Sequence, residues 1–199
     1  MLVTILPFRS NLYREIHSLV AEITDEILMS NVKEGRLSDL AELFERYHIV
    51  LYNFFLKLTG DRNASEDLTQ NLFYRVLRYR HTFNVNQGSF KSWMYQMARN
   101  QHADHYKKEK KLAEILKHTD EDLEAMQIKD EEYQEDDYVK LRTALGRLGP
   151  VDRELIILSR FEGLKYAEIA KMKDSSLGTV KVQIHRAIKE LKNLYFTIK

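Results

Sequence analysis

Apolar residues recur along much of the chain at intervals of three and four, the repeat of a helix with one buried face. The clearest stretch sets Leu40, Leu43, Phe44, Tyr47, Leu51, Phe54, Phe55 and Leu58 on one side, with Ser38 placed to cap its start and Gly60 to stop it. A third helix is expected to open at Asn63, with Glu66 three residues later as in a capping box, and to bury Leu68, Leu72, Phe73, Val76 and Leu77. After a turn near Asn84 to Gly88, Ser89 caps a helix that turns Phe90, Trp93, Met94, Met97 and Ala98 inward. Ahead of these, Leu12, Ile16, Leu19, Val20 and Ile23 have helical spacing, and Thr24, followed by Asp25 and Glu26, suits the start of another helix. Towards the C-terminus, Val139, Leu141, Ala144, Leu145 and Leu148 predict a short helix, broken by Gly149. Pro150 then suits the first position of the next, which continues through Leu155, Ile156, Leu158 and Ser159 towards Gly163. A short helix over Tyr166 to Met172, a turn at Lys173 to Ser175 and a long helix from near Ser176 complete the pattern.

With only two prolines and seven glycines in 199 residues, the chain is expected to be all-α. The length suffices for two small domains with real cores. There are no cysteines, which excludes disulfides, thiolate metal sites and cysteine nucleophiles and accords with a reducing, cytoplasmic setting. No apolar run approaches the roughly 18 residues that span a bilayer, so no membrane insertion is expected. The apolar start, Met1 to Phe8, lacks a basic leader and a small-residue cleavage site and does not read as a signal peptide.

Charge divides the chain more sharply than its net value of +1 suggests. Between Leu112 and Tyr138 eleven acids face two bases, a local charge of −9 that leaves +10 for the remainder. The expected organisation is therefore an extension of unclear role over 1–23, a helical domain over 24–111, an acidic linker over 112–138 and a smaller helical domain over 139–199. A basic body with an acidic middle points towards nucleic acid.

Three surfaces carry candidate chemistry. The strongest signal is C-terminal: Tyr166 to Ala170, a short spacer, Leu177 to Lys181 and Ile184 to Ile188 read as a helix-turn-helix. Ala170 is small where two helices must cross, and Ile169, Leu177, Val180, Ile184 and Ile188 are spaced to pin the second helix to the first. That leaves Ser176, Thr179, Lys181, Gln183, Arg186 and Lys189 free for bases and phosphates in a major groove. The second signal is Arg99 to Lys111, where amides, histidines, an aromatic and a basic cluster follow one another. Trp93, Tyr95 and Tyr106, with a cationic track, suit unstacked bases and a single-stranded backbone; Trp93 equally suits the core. His102, Asp104 and His105 offer too few clear ligands for a metal site. The third is the outer face of the helix beginning near Asn63. Asp67, Gln70, Asn71, Tyr74 and Arg75 there fit a protein interface, and fit an ordinary solvated surface as well.

Taken in order, these motifs resemble the sigma-70 superfamily, and the whole arrangement, from about Thr24 to the C-terminus, is similar to its smallest group, the extracytoplasmic-function (ECF) sigma factors. Ala41 to His48 resembles the start of the first conserved domain, and Glu66 to Arg75 its polymerase-docking helix. Phe90 to Asn100 with Asp104 to Lys108 resembles the helix that melts promoters and reads the minus-ten element. Gly178 to Lys181 with His185 to Ala187 resembles the second DNA-reading helix. The resemblance implies two small helical domains, a sigma region 2 bundle and a sigma region 4 helix-turn-helix, joined by the acidic linker. It implies a non-enzymatic subunit that binds core RNA polymerase through Asp67, Gln70, Asn71, Tyr74 and Arg75. The minus-ten DNA would be met by Trp93, Tyr95, Asn100, His102, Asp104, His105, Lys107 and Lys108, and the minus-thirty-five DNA by Ser176, Thr179, Lys181, Gln183, Arg186 and Lys189. Core polymerase, promoter DNA and an anti-sigma factor are the implied partners, and no cofactor is implied. By the same resemblance the acidic linker would run through the polymerase's nucleic-acid channel; a spacer repelled by DNA is the plainer alternative.

Two departures bear on the promoter read. Val182 and Gln183 stand where the family often has Ser-Arg, and Lys173 and Asp174 occupy a turn where many members have an apolar residue and a glycine. The competing readings are a helix-turn-helix regulator that acts without polymerase, and a nucleic-acid enzyme built on His102, Asp104 and His105. The regulator needs neither the docking-like nor the melting-like helix, and the enzyme needs further converging carboxylates.

Overall fold

The computed structural model describes residues 23–116 and 136–198, and the regular structure among them is helical. In chain order the helices are α1 (Asp25–Lys33), α2 (Ser38–Thr59), α3 (Arg62–Arg78), α4 (Phe90–Leu116), α5 (Asp136–Arg147), α6 (Pro150–Ile156), α7 (Tyr166–Met172) and α8 (Leu177–Thr197). Short 3-10 turns at Arg80–Thr82 and Val85–Gln87 lead from α3 to α4. The helix expected before Thr24 lies outside the described residues. Of the acidic linker, the first residues continue α4 and the last begin α5, and the stretch between lies outside them too.

The four helices of the first unit form a bundle whose ends are fixed by specific side chains. Thr24 accepts a hydrogen bond from the Ile27 amide at 3.3 Å and caps α1. The acids of the first turn of α1 also reach beyond it. Asp25 pairs with Arg46 at 2.9 Å and accepts from the Tyr47 hydroxyl, fastening α1 to α2. Glu26 accepts from the Phe90 amide at 3.0 Å and so helps to cap α4 from another helix. Two starts differ from expectation. Ser38 does not cap α2, because the turn through Gly35 and Leu37 already satisfies the first amides with backbone carbonyls. α3 is capped by Asp61 rather than Asn63: Gly60, at φ 73°, stops α2 and hands on residue 61 in the extended conformation a cap requires. The Asp61 carboxylate then accepts from the Ala64 amide at 3.0 Å.

This unit has an aromatic interior. Phe54, Phe55, Phe90 and Tyr95 are wholly buried, and Phe54 meets Tyr95 edge-on at 5.1 Å between ring centres. Trp93 packs beside Phe83 at 5.5 Å and stays half-buried. Such tilted and edge-on contacts hold large side chains in one geometry.

The second unit is aliphatic. Leu155, Ile156, Ile157, Leu158, Ile169, Val180 and Ile184 fill it, and Ala170, 5% exposed, sits where α7 approaches α8. Pro150 opens α6 at the position where its missing N–H costs nothing. From Ile157 to Phe161 the helix widens into a π turn, closed by the Glu162 amide bonding back to Ile157 at 2.9 Å.

The two units are also in contact. Leu155, Ile157, Leu158, Leu164 and Met172 join the same apolar cluster as Phe54, Leu58, Met94 and Ala98. A smaller cluster of Leu145, Leu148, Ile156 and Ala187 holds α5, α6 and α8 together.

Candidate polymerase and nucleic-acid interfaces

α3 positions its outer residues by simple periodicity. Leu68, Leu72, Phe73 and Val76 are buried, which turns Asp67, Gln70, Asn71 and Tyr74 to solvent and leaves Arg75 half-exposed. At spacings of three, four, seven and eight residues they share one face. Tyr74, an amphipathic ring, is 60% exposed. All five expected docking residues are therefore brought together on one accessible surface.

α4 is held on α3 by Gln101, whose amide nitrogen donates to the Leu68 carbonyl at 2.9 Å. Its start is capped by Ser89, which accepts from the Ser92 amide at 3.1 Å. Beyond that point the expected minus-ten residues separate into three groups. Asn100, Asp104, Lys107 and Lys108 are exposed and share a face by their spacing. His102 and His105 are half-buried on another side, in the wall of a cavity of about 640 Å³ that also includes Tyr106, Asp61 and Arg153. Burial pulls the His102 pKa below 6.5; His105 and Arg153 act in the same direction and Glu154 opposes them. Trp93 borders a smaller cleft with Gln96, Ser92 and Asn84.

Tyr95 departs from the expectation. Its ring is wholly buried and its hydroxyl donates to Glu162 of the second unit, so in this conformation it is not offered to a strand. Its aromatic character pointed to stacking, but its side of α4 faces Phe54 and the second unit rather than solvent. Burial and the facing carboxylate push the Tyr95 hydroxyl pKa up. Burial likewise raises that of Glu162, against the opposing pull of the Tyr95 hydrogen bond, Lys57 and Lys91.

In the second unit α7 and α8 make the helix-turn-helix. Ser176 caps α8, accepting from the Thr179 amide at 3.0 Å. The turn before it takes Asp174 to φ 47°, a left-handed conformation that glycine adopts more easily. Val180, Ile184 and Ala187 point inward, and Thr179, Lys181, Arg186 and Lys189 point out; Gln183 is half-buried. Ser176 is exposed, though its hydroxyl is engaged in the cap and with Thr179 at 2.8 Å. Arg186 is tethered by Asp152 at 3.1 Å. Val182, 70% exposed, and His185 share the outward surface, although neither was among the residues expected to meet the minus-thirty-five DNA. Their exposure was legible in principle, since each lies between inward positions of the helical repeat. A helix with this face fits a major groove, its cations meeting phosphate and its amide and hydroxyl groups meeting bases.

Among the described residues no three His, Cys, Asp or Glu side chains converge as a metal site, and no helix is long and apolar enough to cross a membrane.

Comparison with known proteins follows the same division. The family profile "Sigma-70 region 2" matches residues 43–112, and "Sigma-70, region 4" matches residues 138–191. The ECF RNA polymerase sigma factor BldN of Streptomyces coelicolor is 30% identical over 173 residues, which cover 84% of this chain and 64% of BldN. The chain thus spans a little under two thirds of that relative's length. SigX of Bacillus subtilis is 30% identical over 157 residues, covering 75% of this chain and 80% of SigX. Among solved structures, the sigma factor RpoE from Bartonella quintana, in complex with the anti-sigma factor NepR, superposes with a TM-score of 0.66 at 23% identity over 81% of this chain and 99% of that one. CnrH in complex with the cytosolic domain of CnrY gives 0.65 at 20% identity, over 88% and 99%. At these identities the two structures speak for the fold.

Proposed function

The chain belongs to the ECF RNA polymerase sigma factors of the sigma-70 class, and on that premise we propose that it binds core RNA polymerase and directs initiation at promoters with paired minus-ten and minus-thirty-five elements. The observation that carries this reading is the presence, in one chain and in this order, of an exposed acid, amide and aromatic face on α3, a cationic end on α4 and a helix-turn-helix.

Asp67, Gln70, Asn71, Tyr74 and Arg75 meet the polymerase. Their mixed hydrogen-bonding and aromatic character suits a surface that must be solvated when free and satisfied when bound. Trp93, Asn100, His102, Asp104, His105, Lys107 and Lys108 meet the melted minus-ten strand, the lysines neutralising phosphate and the ring and imidazoles stacking on or bonding to unpaired bases. Ser176, Thr179, Lys181, Gln183, Arg186 and Lys189 meet the minus-thirty-five duplex, where Gln183 is suited to adenine through its amide. The chain performs no chemistry: nucleotidyl transfer belongs to the polymerase. An anti-sigma factor is the expected regulatory partner, as the family membership supports.

Run-off transcription with purified core polymerase on a pool of genomic promoters tests the reading. Initiation is expected to require the chain and to fall by about tenfold or more in an Asp67→Ala, Gln70→Ala, Asn71→Ala variant, a loss equivalent to about 1.4 kcal/mol of docking. Specific binding to duplex DNA with no core binding and no initiation would instead favour a regulator that works without polymerase.

A further inference from the structure

The outward face of α8 carries two residues that the fold itself does not call for. Val180 and Ile184 are buried in the second unit. At about 100° per residue, Val182 stands roughly 180° from their mean direction, on the centre line of the outward face. Its side chain is 70% exposed. A lone exposed valine is ordinary on most surfaces, but here it is set among polar and charged neighbours: Thr179, Lys181, His185, Arg186 and Lys189 are all exposed around it. One turn earlier stands Gly178, also exposed. A Cβ added there would meet nothing closer than the Ser176 hydroxyl at 3.7 Å, an ordinary contact, and the backbone is not left-handed. Neither space nor conformation therefore requires glycine, although glycine weakens a helix relative to alanine. What the missing side chain does provide is a bare backbone beside Val182 that another molecule can approach closely. Several polar groups of the face are meanwhile already engaged. The Ser176 and Thr179 hydroxyls bond to each other at 2.8 Å, and Arg186 is held by Asp152 at 3.1 Å.

We propose that Gly178 and Val182 form an apolar notch that receives the 5-methyl group of a thymine in the major groove, so that this chain demands thymine at one fixed position of its minus-thirty-five element. The inference rests on the duplex-reading role proposed above for α8 and deepens it by naming the base and the group that is read. In the major groove thymine shows one carbonyl acceptor and a methyl group, whereas guanine, cytosine and adenine show hydrogen-bonding groups. A valine side chain neither donates nor accepts. Against the thymine methyl it removes two apolar surfaces from water. Against a G·C pair it would cover polar edges without replacing their bonds to water, which is costly. Lys181, Arg186 and Lys189 flank the notch, as suits a groove walled by phosphates. Val182 also stands where the family often has serine. A serine hydroxyl can bond to more than one base, and valine cannot, so the demand for thymine belongs to this chain in particular.

The test uses the full chain with purified core polymerase. Promoters are selected from the genomic pool by run-off transcription. Each thymine of the selected minus-thirty-five element, on either strand, is then replaced in turn by uracil, which removes the methyl and keeps every hydrogen-bonding group. One such replacement is expected to lower initiation about fourfold with the unaltered chain, the effect of returning one methyl group to water. In Val182→Ala the same replacement is expected to have little further effect, because the side chain that covered the methyl is gone. Gly178→Ala, for which the helix has room, is expected to melt no lower than the unaltered chain and to lose the preference for thymine over uracil. Uracil without effect at every position, an equal uracil penalty in the unaltered chain and Val182→Ala, or a thymine preference that survives Gly178→Ala would each overturn the notch. If no promoter in the pool gives initiation that depends on the chain, the functional reading fails. The notch is then decided by the same uracil replacements in duplexes selected for binding to the chain alone.

Discussion

α3 and α4 are neighbours in one bundle, capped alike by short polar side chains and buried by similar apolar stripes, yet they treat their polar surfaces in opposite ways. α3 shows all its candidate docking residues to solvent. α4 shows its distal half and gives its proximal half to the second unit, so that Tyr95 is as buried as any core phenylalanine. Periodicity determines which residues leave a helix's own bundle; it is silent on whether another part of the chain then covers them. An exposed face and a covered face therefore read alike in one dimension, and they differ only in what a substitution does.

That difference sets the size of the expected effects. Leu72, wholly buried beneath the open face of α3, is expected to cost about 3 kcal/mol in urea unfolding when changed to Ala. Asp67→Ala, on the other side of the same helix, should stay within about 0.5 kcal/mol. A large loss at Asp67 would mean that the face is structural. Next come the tyrosines. Tyr95→Phe leaves the buried Glu162 carboxylate without its donor and is expected to cost about 2 kcal/mol, whereas Tyr74→Phe should lie within about 0.5 kcal/mol; equal losses would break the comparison.

Acidity probes the contact between the units more gently. The folded pKa of His102 lies below 6.5 because burial disfavours its charged form. Its neutral state is therefore compatible with folding above pH 6.5, and stability is lost as the pH falls below 6.5 and the unfolded chain takes up the proton more readily. The loss of melting temperature through that window is expected to shrink in His102→Gln, and a parallel decline in both proteins would remove His102 as the cause. The smallest effect belongs to the open end of α4. Lys107→Ala is expected to lower the slope of log affinity against log salt for single-stranded DNA by about 0.7, one phosphate contact, with no change in unfolding.

Much of this architecture was legible in one dimension. The apolar stripes of α2, α3 and α8 located their buried faces except at Phe44 and Leu177, which are exposed, and Thr24, Gly60, Ser89, Pro150 and Ser176 marked ends that the structure keeps, because caps and stops are local chemistry. Asp61 escaped notice since its capping depends on the left-handed turn at Gly60 just before it. Glu154 and Glu162 escaped for another reason. Each is an ordinary glutamate among ordinary neighbours, and its meaning arises only where α6 meets α4, several dozen residues away in sequence. Long-range polar partners leave no periodic trace.

The π turn between Ile157 and Phe161 gives that distant meeting an unexpected sensitivity. An α-helix rotates by about 100° for each residue. The widened turn absorbs one extra residue, and it delivers Glu162 to Tyr95 only with that extra residue present. Deleting a single position there would keep every residue type of the contact and swing the carboxylate by roughly 100°, aiming it elsewhere. Recognition between the two halves of the chain is thus written as a count of residues, and an insertion or deletion at this point would rewire it more surely than most substitutions.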